Sequence, residues 1–296
     1  MQQISRARVA LVTMGVASLL LATTVAAGAS SSGMKGTYNA NAAKLVPASF
    51  KGMTLKVASD ASYAPDELIK NGNVIGFDVD LINAIATTLG IKVKTSNVTF
   101  NGILLGIQSG KYQIGNSSFT DNKKREKQVN FVDYFQAGEG VYARSSSMLT
   151  FTGLKGFCGH SVAVESGTIE QTDAENVSKT CASGKKVSVL KYSTQTEANL
   201  AVSSGHADFG FLDSQIAGYV VSQLHGTFKL VGSAVNVAPY GMATAKTPAG
   251  KGLAHAMQAA LKVLIANGTY GAILTHWGVQ AGALPAAKII LNGAIS

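Results

Sequence analysis

The chain has 296 residues, with 25 lysines and arginines against 16 aspartates and glutamates, so its formal charge is +9. Charged residues make up only 14% and apolar residues 46%, a composition that excludes an intrinsically disordered chain. The length predicts two domains, each large enough to bury a core. Apart from residues 123–127, which we interpret as a solvated helix face, the basic residues are scattered, so no nucleic-acid partner is expected.

The first 29 residues have the three parts of an export signal. Arg6 and Arg8 supply a positive start, residues 9–22 are apolar, and small residues at 25–29 are typical of a cleavage site. We predict that this segment is removed, with an uncleaved membrane anchor as the alternative because the apolar run approaches spanning length. No cysteine lies near the signal, so acyl anchoring is not expected. The small, polar residues 30–52 predict a flexible leader, and the mature chain is expected to be periplasmic or secreted.

The cysteines and histidines predict a disulfide and no metal site. An exported protein enters an oxidising compartment, where two thiols usually pair, so we expect Cys158 and Cys181 to be bonded; two separate buried thiols are the alternative. The five histidines are too widely spaced for a helical pair of metal ligands, and no cofactor is expected. The motifs G-x-S-x-G, G-x-x-x-x-G-K-[ST] and G-x-G-x-x-G are also absent from the sequence.

From residue 54 onward, short buried strands alternate with amphipathic helices. The first part has a strand at 55–58, a helix at 76–89 stopped by Gly90, a strand at 91–93, a helix at 101–109 ended by Gly110 and an extended segment at 112–116. The middle part has strands at 161–164, 186–190 and 207–212, with residues 166–168 opening a helix. The last part has a strand at 240–245 and helices at 250–266 and 269–277. This order predicts βαβ units and an α/β fold.

The two ends of the chain share one pattern, which predicts a discontinuous first lobe with a second lobe inserted into it. Crossovers are expected near residues 142–147 and 234–238. Lobe 1 would then comprise residues 53–143 and 237–296, and lobe 2 residues 144–236. A ligand is expected in the cleft between the lobes.

Five segments, in this order, resemble one protein family. They are LKVASDASYAPDELIKNGNVIGFDVDLINAIATTLG, VTFNGILLGIQSGKYQIGNSSFTDNKKREKQVNFVDYF, VAVESGT, ADFGFLD and YGMATAK…LIANGTYGAILTHWG. Over nearly all of residues 54–278 the chain is similar to the extracellular solute-binding proteins of polar amino acid ABC importers, solute-binding protein family 3. The resemblance implies a two-lobed, type II Venus-flytrap α/β fold with two hinge crossovers. It also implies an amino acid ligand, an ABC permease as partner, and a monomer that is not an enzyme.

The resemblance further assigns ligand-binding residues. Arg125, six residues before Phe131, matches the family's carboxylate-binding arginine, and Asp213 matches the aspartate that takes the ammonium group. Both assignments make chemical sense, because a zwitterion is desolvated at tolerable cost only when both charges find partners. The other implied contacts are the strand-end residues Asn116 and Ser118, the helix-entry residues Thr168 and Ile169, and the aromatic pair Tyr63 and Phe100.

Acidic residues favour a basic or polar amino acid as the ligand. Asp60 stands in D-A-S-Y, as in relatives that bind lysine, arginine, ornithine or histidine, although many non-basic binders share it. Glu165 and Glu170 would add the negative charge that a cationic side chain needs. The alternative interpretation is that Asp66, Glu67 and Glu170 are solvated rim charges, and a glutamine-like ligand is the alternative specificity.

An enzyme on the same fold is the main alternative function. Periplasmic dehydratases that act on cyclohexadienyl acids resemble this family and need a carboxylic acid in the cleft, which Glu165 or Glu170 would supply. Arg125 and Asp213 match the two charges of an α-amino acid, although such substrates carry those charges too. A chemosensory ligand-binding domain would need a membrane segment and a signalling domain. We therefore expect a binding protein.

Overall fold

The structure, a computed structural model, describes residues 34–294. The predicted export signal, residues 1–29, lies outside the described residues. Within residues 34–294 the fold is mixed α/β, with two lobes joined by two long strands, as predicted. In this part of the chain we find no helix that is both long and apolar enough to cross a membrane.

Twelve strands and nine α-helices make up the described residues. The strands are β1 (Thr54–Ser59), β2 (Ser62–Tyr63), β3 (Glu67–Lys70), β4 (Asn73–Ile75), β5 (Lys92–Asn97), β6 (Ile114–Gly115), β7 (Val129–Arg144), β8 (Ser161–Glu165), β9 (Ser188–Tyr192), β10 (Phe209–Asp213), β11 (Phe228–Leu230) and β12 (Val235–Ala245). The helices are α1 (Ala40–Ala43), α2 (Phe77–Leu89), α3 (Phe100–Gln108), α4 (Lys123–Glu126), α5 (Ile169–Thr180), α6 (Gln195–Ser203), α7 (Ser214–Gln223), α8 (Pro248–Ala266) and α9 (Thr269–Trp277).

One sheet runs through both lobes in the order β5-β1-β6-β12-β7-β10-β8-β9, with β11 also paired to β7. Strands β5, β1 and β6 of lobe 1 are parallel, and so are β9, β8 and β10 of lobe 2, as βαβ connections require. Strands β7 and β12 run antiparallel to each other and carry the chain between the lobes. The carboxyl ends of the parallel strands therefore face one another across the cleft.

Strand β7 changes partners inside its own length. It pairs with β12 from Val129 to Glu139, with a register shift between Ala137 and Glu139, and with β10 from Glu139 to Tyr142. We therefore propose that the first crossing lies at residues 136–139, upstream of the 142–147 expected from sequence. The sequence does not reveal this position, because β7 is one continuous strand of 16 residues and no loop marks the crossing.

Each lobe has its own apolar core. In lobe 1, helix α2 buries Leu81 and Ile85 against Leu253 and Leu261 of α8, all of them fully enclosed. Helix α2 ends at Gly90, whose left-handed φ of 67° lets its N–H bond to carbonyls of the last turn, which confirms the stop predicted from sequence. In lobe 2, aromatic side chains fill the space under α5. Because each lobe has its own core, the two sides of the cleft are rigid.

Residues 34–52 are not the flexible leader that the sequence suggests. They form α1 and a short 3₁₀ turn, and Ala42 and Val46 are buried in the core of lobe 1. Their small residues allow close packing rather than disorder, because a Cβ on Gly36 would lie 2.1 Å from the Ala84 carbonyl oxygen. The segment is therefore part of lobe 1.

The predicted disulfide between Cys158 and Cys181 is present and ties the turn before β8 to the end of α5. Closing this loop contributes about 3 kcal/mol to stability. The double variant Cys158→Ala/Cys181→Ala is expected to melt roughly 6–12 °C lower, with unchanged ligand affinity. Thermal unfolding with and without reductant checks this, and the reduced wild type should match the variant. A wild-type melting temperature that is insensitive to reductant would contradict it.

Candidate functional site

The two lobes meet around a pocket between the carboxyl ends of β1 and β6 and those of β8 and β10. The lining residues are Asp60, Tyr63, Phe100, Ser117, Ser118, Thr120, Arg125, Glu165, Thr168, Ile169, Glu170 and Asp213. Nine of the ten residues predicted to bind ligand are in this set, although their contacts with a ligand stay predictions. Such a cleft between two rigid lobes is the usual place for a small ligand in a two-lobed protein.

Arg125 is the one basic residue that lines the pocket in the described part of the chain. Its Nη1 donates to the Thr120 carbonyl at 2.8 Å and its Nη2 donates to the Gly167 carbonyl of lobe 2 at 3.0 Å. The guanidinium also lies 5.5 Å from the ring centre of Phe100 and 5.3 Å from that of Phe119. Burial lowers the pKa of Arg125 to about 10, so it stays charged at neutral pH. It is a fixed cation suited to a carboxylate.

Asp213 and Tyr63 join the lobes on the other side of the pocket. The Tyr63 hydroxyl donates to Asp213 Oδ2 at 2.7 Å and accepts from the Asp213 N–H at 3.0 Å. Burial raises the pKa of Asp213 to about 6. Glu170, in the first turn of α5, is buried beside it, and burial followed by the charge of Asp213 raises its pKa well above the usual range. These two acids form the first acidic end of the pocket.

Asp60 and Glu165 form a second acidic end, with one carboxyl from each lobe. Asp60 is held by three donors, the Phe100 N–H at 2.8 Å and the N–H and hydroxyl of Ser62 at 2.9 and 2.7 Å. Glu165 is only 2% exposed, and its Oε1 has no hydrogen-bond partner in the described residues. Burial, and then the charge of Asp60, raise the pKa of Glu165 to about 10. A cation placed between them would satisfy both carboxylates.

The first turn of α5 faces the pocket beside Arg125. Thr168 caps this helix, since its Oγ1 accepts from the Gln171 N–H and donates to the Glu165 carbonyl. The first N–H groups of a helix have no partner within it and carry the positive end of its dipole. The N–H groups that follow Thr168 therefore form an anion-binding end next to the guanidinium.

One predicted ligand residue, Asn116, does not line the pocket. Its Nδ2 donates to the Asp78 carbonyl at 2.7 Å inside lobe 1, and its own carbonyl accepts from the Ser59 hydroxyl. Ser117 lines the pocket instead, next to Ser118, whose left-handed φ of 47° shows that the backbone here is not regularly extended. Thr120 and Ser117 line the pocket without having been predicted from sequence, and no local pattern marks them, because the chain after β6 does not alternate as a strand does.

The family model of the bacterial extracellular solute-binding proteins, family 3, matches residues 55–280. The chain belongs to this family. It is 33% identical over 222 residues to the arginine-binding protein of Corynebacterium glutamicum, which covers 74% of this chain and 72% of the relative. It resembles the solved structure of an ancestral arginine-binding protein bound to arginine, with 31% identity, a TM-score of 0.71, and coverage of 77% of this chain and 99% of that one.

A second similar structure is an ancestral arginine-binding protein bound to glutamine, with 32% identity, a TM-score of 0.69, and coverage of 76% of this chain and 98% of that one. These findings confirm the predicted family and the two-lobed fold. As a family 3 solute-binding protein, the chain is the substrate-binding component of an amino acid ABC importer.

The predicted rim charges of this family 3 protein are buried instead. Asp66 and Glu67 are fully enclosed with Asp78 behind the pocket, where the Ser118 hydroxyl donates to Asp66 Oδ2 at 2.8 Å. Burial raises the pKa of all three carboxyls, that of Asp78 to about 6. Within residues 34–294 no group of acidic, histidine or cysteine side chains has the arrangement of a metal site. The cluster therefore retains protons, and its hydrogen bond to Ser118 fixes the backbone position of that residue beside the pocket.

The ligand-free protein is expected to lose stability as pH rises from 5 to 9. Burial raises the pKa of Asp133 to about 8, of Glu139 to about 9 and of Glu165 to about 10, whereas unfolded carboxyls titrate near 4. The folded state then binds more protons than the unfolded state across this range, so stability falls with rising pH. Urea unfolding of stripped protein at several pH values measures it. Glu165→Gln should flatten the slope, and stability that rises toward pH 9 would contradict the prediction.

Proposed function

We propose that the protein captures arginine, or a closely similar cationic amino acid, between its lobes and delivers it unchanged to an ABC permease. The observation that carries this proposal is the meeting of Asp60 and Glu165 across the cleft, in a pocket whose other end already has an acid pair. Arginine carries two cationic groups and one anionic group. The pocket offers two acidic ends and one basic position, so the two sets of charges correspond.

Each charge of arginine has a partner in this arrangement. The α-carboxylate lies against Arg125 and the first turn of α5, and the α-ammonium lies against Asp213 with Glu170 beside it. The guanidinium lies between Asp60 and Glu165, where both carboxylates accept its N–H groups. The ring of Tyr63, which is fixed by its bonds to Asp213, covers the aliphatic part of the ligand.

Glutamine is the competing ligand, because one similar structure holds it. A neutral side chain leaves Glu165 beside Asp60 without a cation, so Glu165 must keep its proton. A guanidinium instead pairs with both in their ionised form. The charge of the second acidic end therefore favours arginine, as do the names of the relatives.

Glu165→Gln tests the assignment, because it keeps the side-chain shape and removes the charge. We expect arginine to bind about 2–4 kcal/mol more weakly to the variant, whereas citrulline, its neutral isostere, changes less than about threefold. Titration calorimetry on refolded, ligand-stripped protein measures both ligands. Glu175→Gln, on the outer side of α5, is the matched control and should leave both affinities unchanged. An equal loss for arginine and citrulline would contradict the role of Glu165.

A thermal-shift screen separates the binding protein from the dehydratase alternative. The stripped protein is tested with the twenty amino acids, ornithine, citrulline and cyclohexadienyl acids. A ligand at 100 times its dissociation constant raises stability by about 2.7 kcal/mol, and we expect the largest shift with arginine. Arginine should be recovered chemically unchanged after incubation. Turnover of a cyclohexadienyl acid would overturn the non-enzymatic function, and Glu170→Gln would then identify the acid responsible.

The family description names these solute-binding proteins as extracellular, which supports a location outside the cytoplasmic membrane. We further propose that export removes residues 1–29 and that the mature chain is a monomer in the periplasm or medium. The positive start, the apolar run and the small residues of positions 1–29 are the sequence features that support export. Mass spectrometry of the exported chain and gel filtration of the purified protein test these two points.

A further inference from the structure

The surface of lobe 1 carries almost only positive charge. In residues 34–138 and 237–294, fifteen lysines are exposed, whereas none of the eight acidic residues is. Six of these acids are buried, and the half-buried Asp80 and Glu126 are engaged, the first by Trp277 Nε1 at 2.8 Å and the second by Lys123 and the Ala294 N–H. Burial of the acids in and behind the cleft therefore leaves the lysines without surface counter-charges.

Six of the lysines lie at the end of lobe 1 opposite the cleft. The cleft is formed by the carboxyl ends of the parallel strands, whereas these lysines lie in the amino-terminal halves of β1 and β5, before β6, or on the neighbouring α1 segment. We call them the basal lysine surface, and its members are Lys44, Lys51, Lys56, Lys92, Lys94 and Lys111. None of them forms an ion pair in the described residues, where the pairs found involve other lysines.

The strand register places like charges next to each other on this surface. Lys56 of β1 is directly opposite Lys94 of β5, and Lys92 lies on the same side of β5 two residues away. Like charges directly opposite on neighbouring strands destabilise a sheet. An anionic partner that binds here would therefore relieve the repulsion between these lysines.

Exposed apolar side chains accompany the lysines. Tyr38 is 62% exposed, Leu45 48% and Met53 49%, and all three belong to the segment that carries Lys44 and Lys51. Lysine heads next to exposed apolar side chains are typical of a bilayer interface, where the charges meet the headgroups and the apolar groups enter the acyl boundary. A soluble polyanion would make no use of these apolar side chains.

We propose that the basal lysine surface docks the protein on an anionic phospholipid bilayer, with the cleft directed away from the lipid. Each lysine near an anionic surface strengthens binding about fivefold, and the effect is screened by salt. The six lysines at this end of lobe 1 thus hold the protein at the membrane reversibly. The ligand pocket is not involved, so docking is independent of which amino acid is bound.

Sedimentation with vesicles tests the docking surface on the mature chain. We expect binding to vesicles of 30% phosphatidylglycerol in phosphatidylcholine at 50 mM NaCl, and none to pure phosphatidylcholine or at 500 mM NaCl. The variant Lys56→Glu/Lys92→Glu/Lys94→Glu should bind at least about tenfold more weakly. The matched control Lys155→Glu/Lys179→Glu/Lys185→Glu changes the net charge equally on exposed lysines of lobe 2 and should lose less than about threefold.

Three results would overturn the proposal. Equal losses for the two triple variants would mean that net charge alone matters, and equal binding to neutral vesicles would exclude the lysines. Two further results together would show that the partner is a soluble polyanion rather than a bilayer. The variant Leu45→Ser/Met53→Ser would bind vesicles as tightly as the wild type, and the protein would bind soluble polyphosphate more tightly than vesicles. Circular dichroism and thermal unfolding without ligand verify that each variant is folded. If a triple variant does not fold, the single variants Lys92→Glu and Lys185→Glu are compared in the same way.

Discussion

Replacing Arg125 with alanine is expected to weaken arginine binding by about 3–5 kcal/mol, which would abolish detectable binding at micromolar protein. The change removes the basic residue of the pocket and leaves the ligand carboxylate buried without its partner. It also removes the donor to the Gly167 carbonyl, one of the bonds that connect the two lobes. Titration calorimetry of the stripped variant measures the effect.

Two further variants identify the cause of the Arg125 effect. Lys124→Ala changes the adjacent, exposed basic residue and should leave the affinity unchanged. Arg125→Lys keeps the charge but loses the forked donor geometry, so an intermediate affinity is expected. Affinity of Arg125→Ala within about threefold of wild type would remove Arg125 from the ligand site.

Asp213→Asn is expected to cost about 3–4 kcal/mol of binding energy at pH 8, because the ligand ammonium loses its anionic partner. The asparagine still accepts from the Tyr63 hydroxyl, so the lobes remain joined. The pKa of Asp213 is raised to about 6 by burial, so its carboxyl is largely protonated at pH 5 in the ligand-free protein. The difference between wild type and variant should therefore shrink as pH falls from 8 to 5.

The pH dependence separates a charge effect from a general loss of shape. Asp208→Asn, at a half-buried position just before β10, changes the same chemical group outside the pocket and should leave affinity unchanged at both pH values. A loss for Asp213→Asn that is the same at pH 5 and pH 8 would contradict the ammonium-binding role.

The parts of the fold that the sequence predicts are those fixed by local chemistry. Helix α2 has a regular apolar face and a glycine stop, and its predicted end at Leu89 agrees with the structure. The pairing of Cys158 and Cys181 is predictable because the sequence has only these two cysteines. Arg125 and Asp213 are found through the family resemblance, and the structure places both in the pocket.

The parts that the sequence does not predict depend on tertiary context. Strand β7 pairs with strands of both lobes and is buried along nearly its whole length, so its residues carry no alternating pattern that would mark the crossing we propose at 136–139. Residues 34–52 are polar and small, yet α2 and α8 give Ala42 and Val46 a surface on which to pack. The burial of Asp66 and Glu67 likewise depends on neighbours that are distant in sequence. Asn116 is turned away from the pocket by its bond to the Asp78 carbonyl, a partner 38 residues away in sequence.

The most direct test of arginine capture is calorimetric titration of stripped protein with arginine and with citrulline at pH 7, in two buffers of different ionisation enthalpy. We expect arginine to bind at least about 100-fold more tightly and to release about one proton, because the pKa of Glu165, raised to about 10, must fall when it pairs with the guanidinium. Citrulline should release fewer protons. Equal affinities for the two ligands, with equal proton release, would contradict recognition of a cationic side chain.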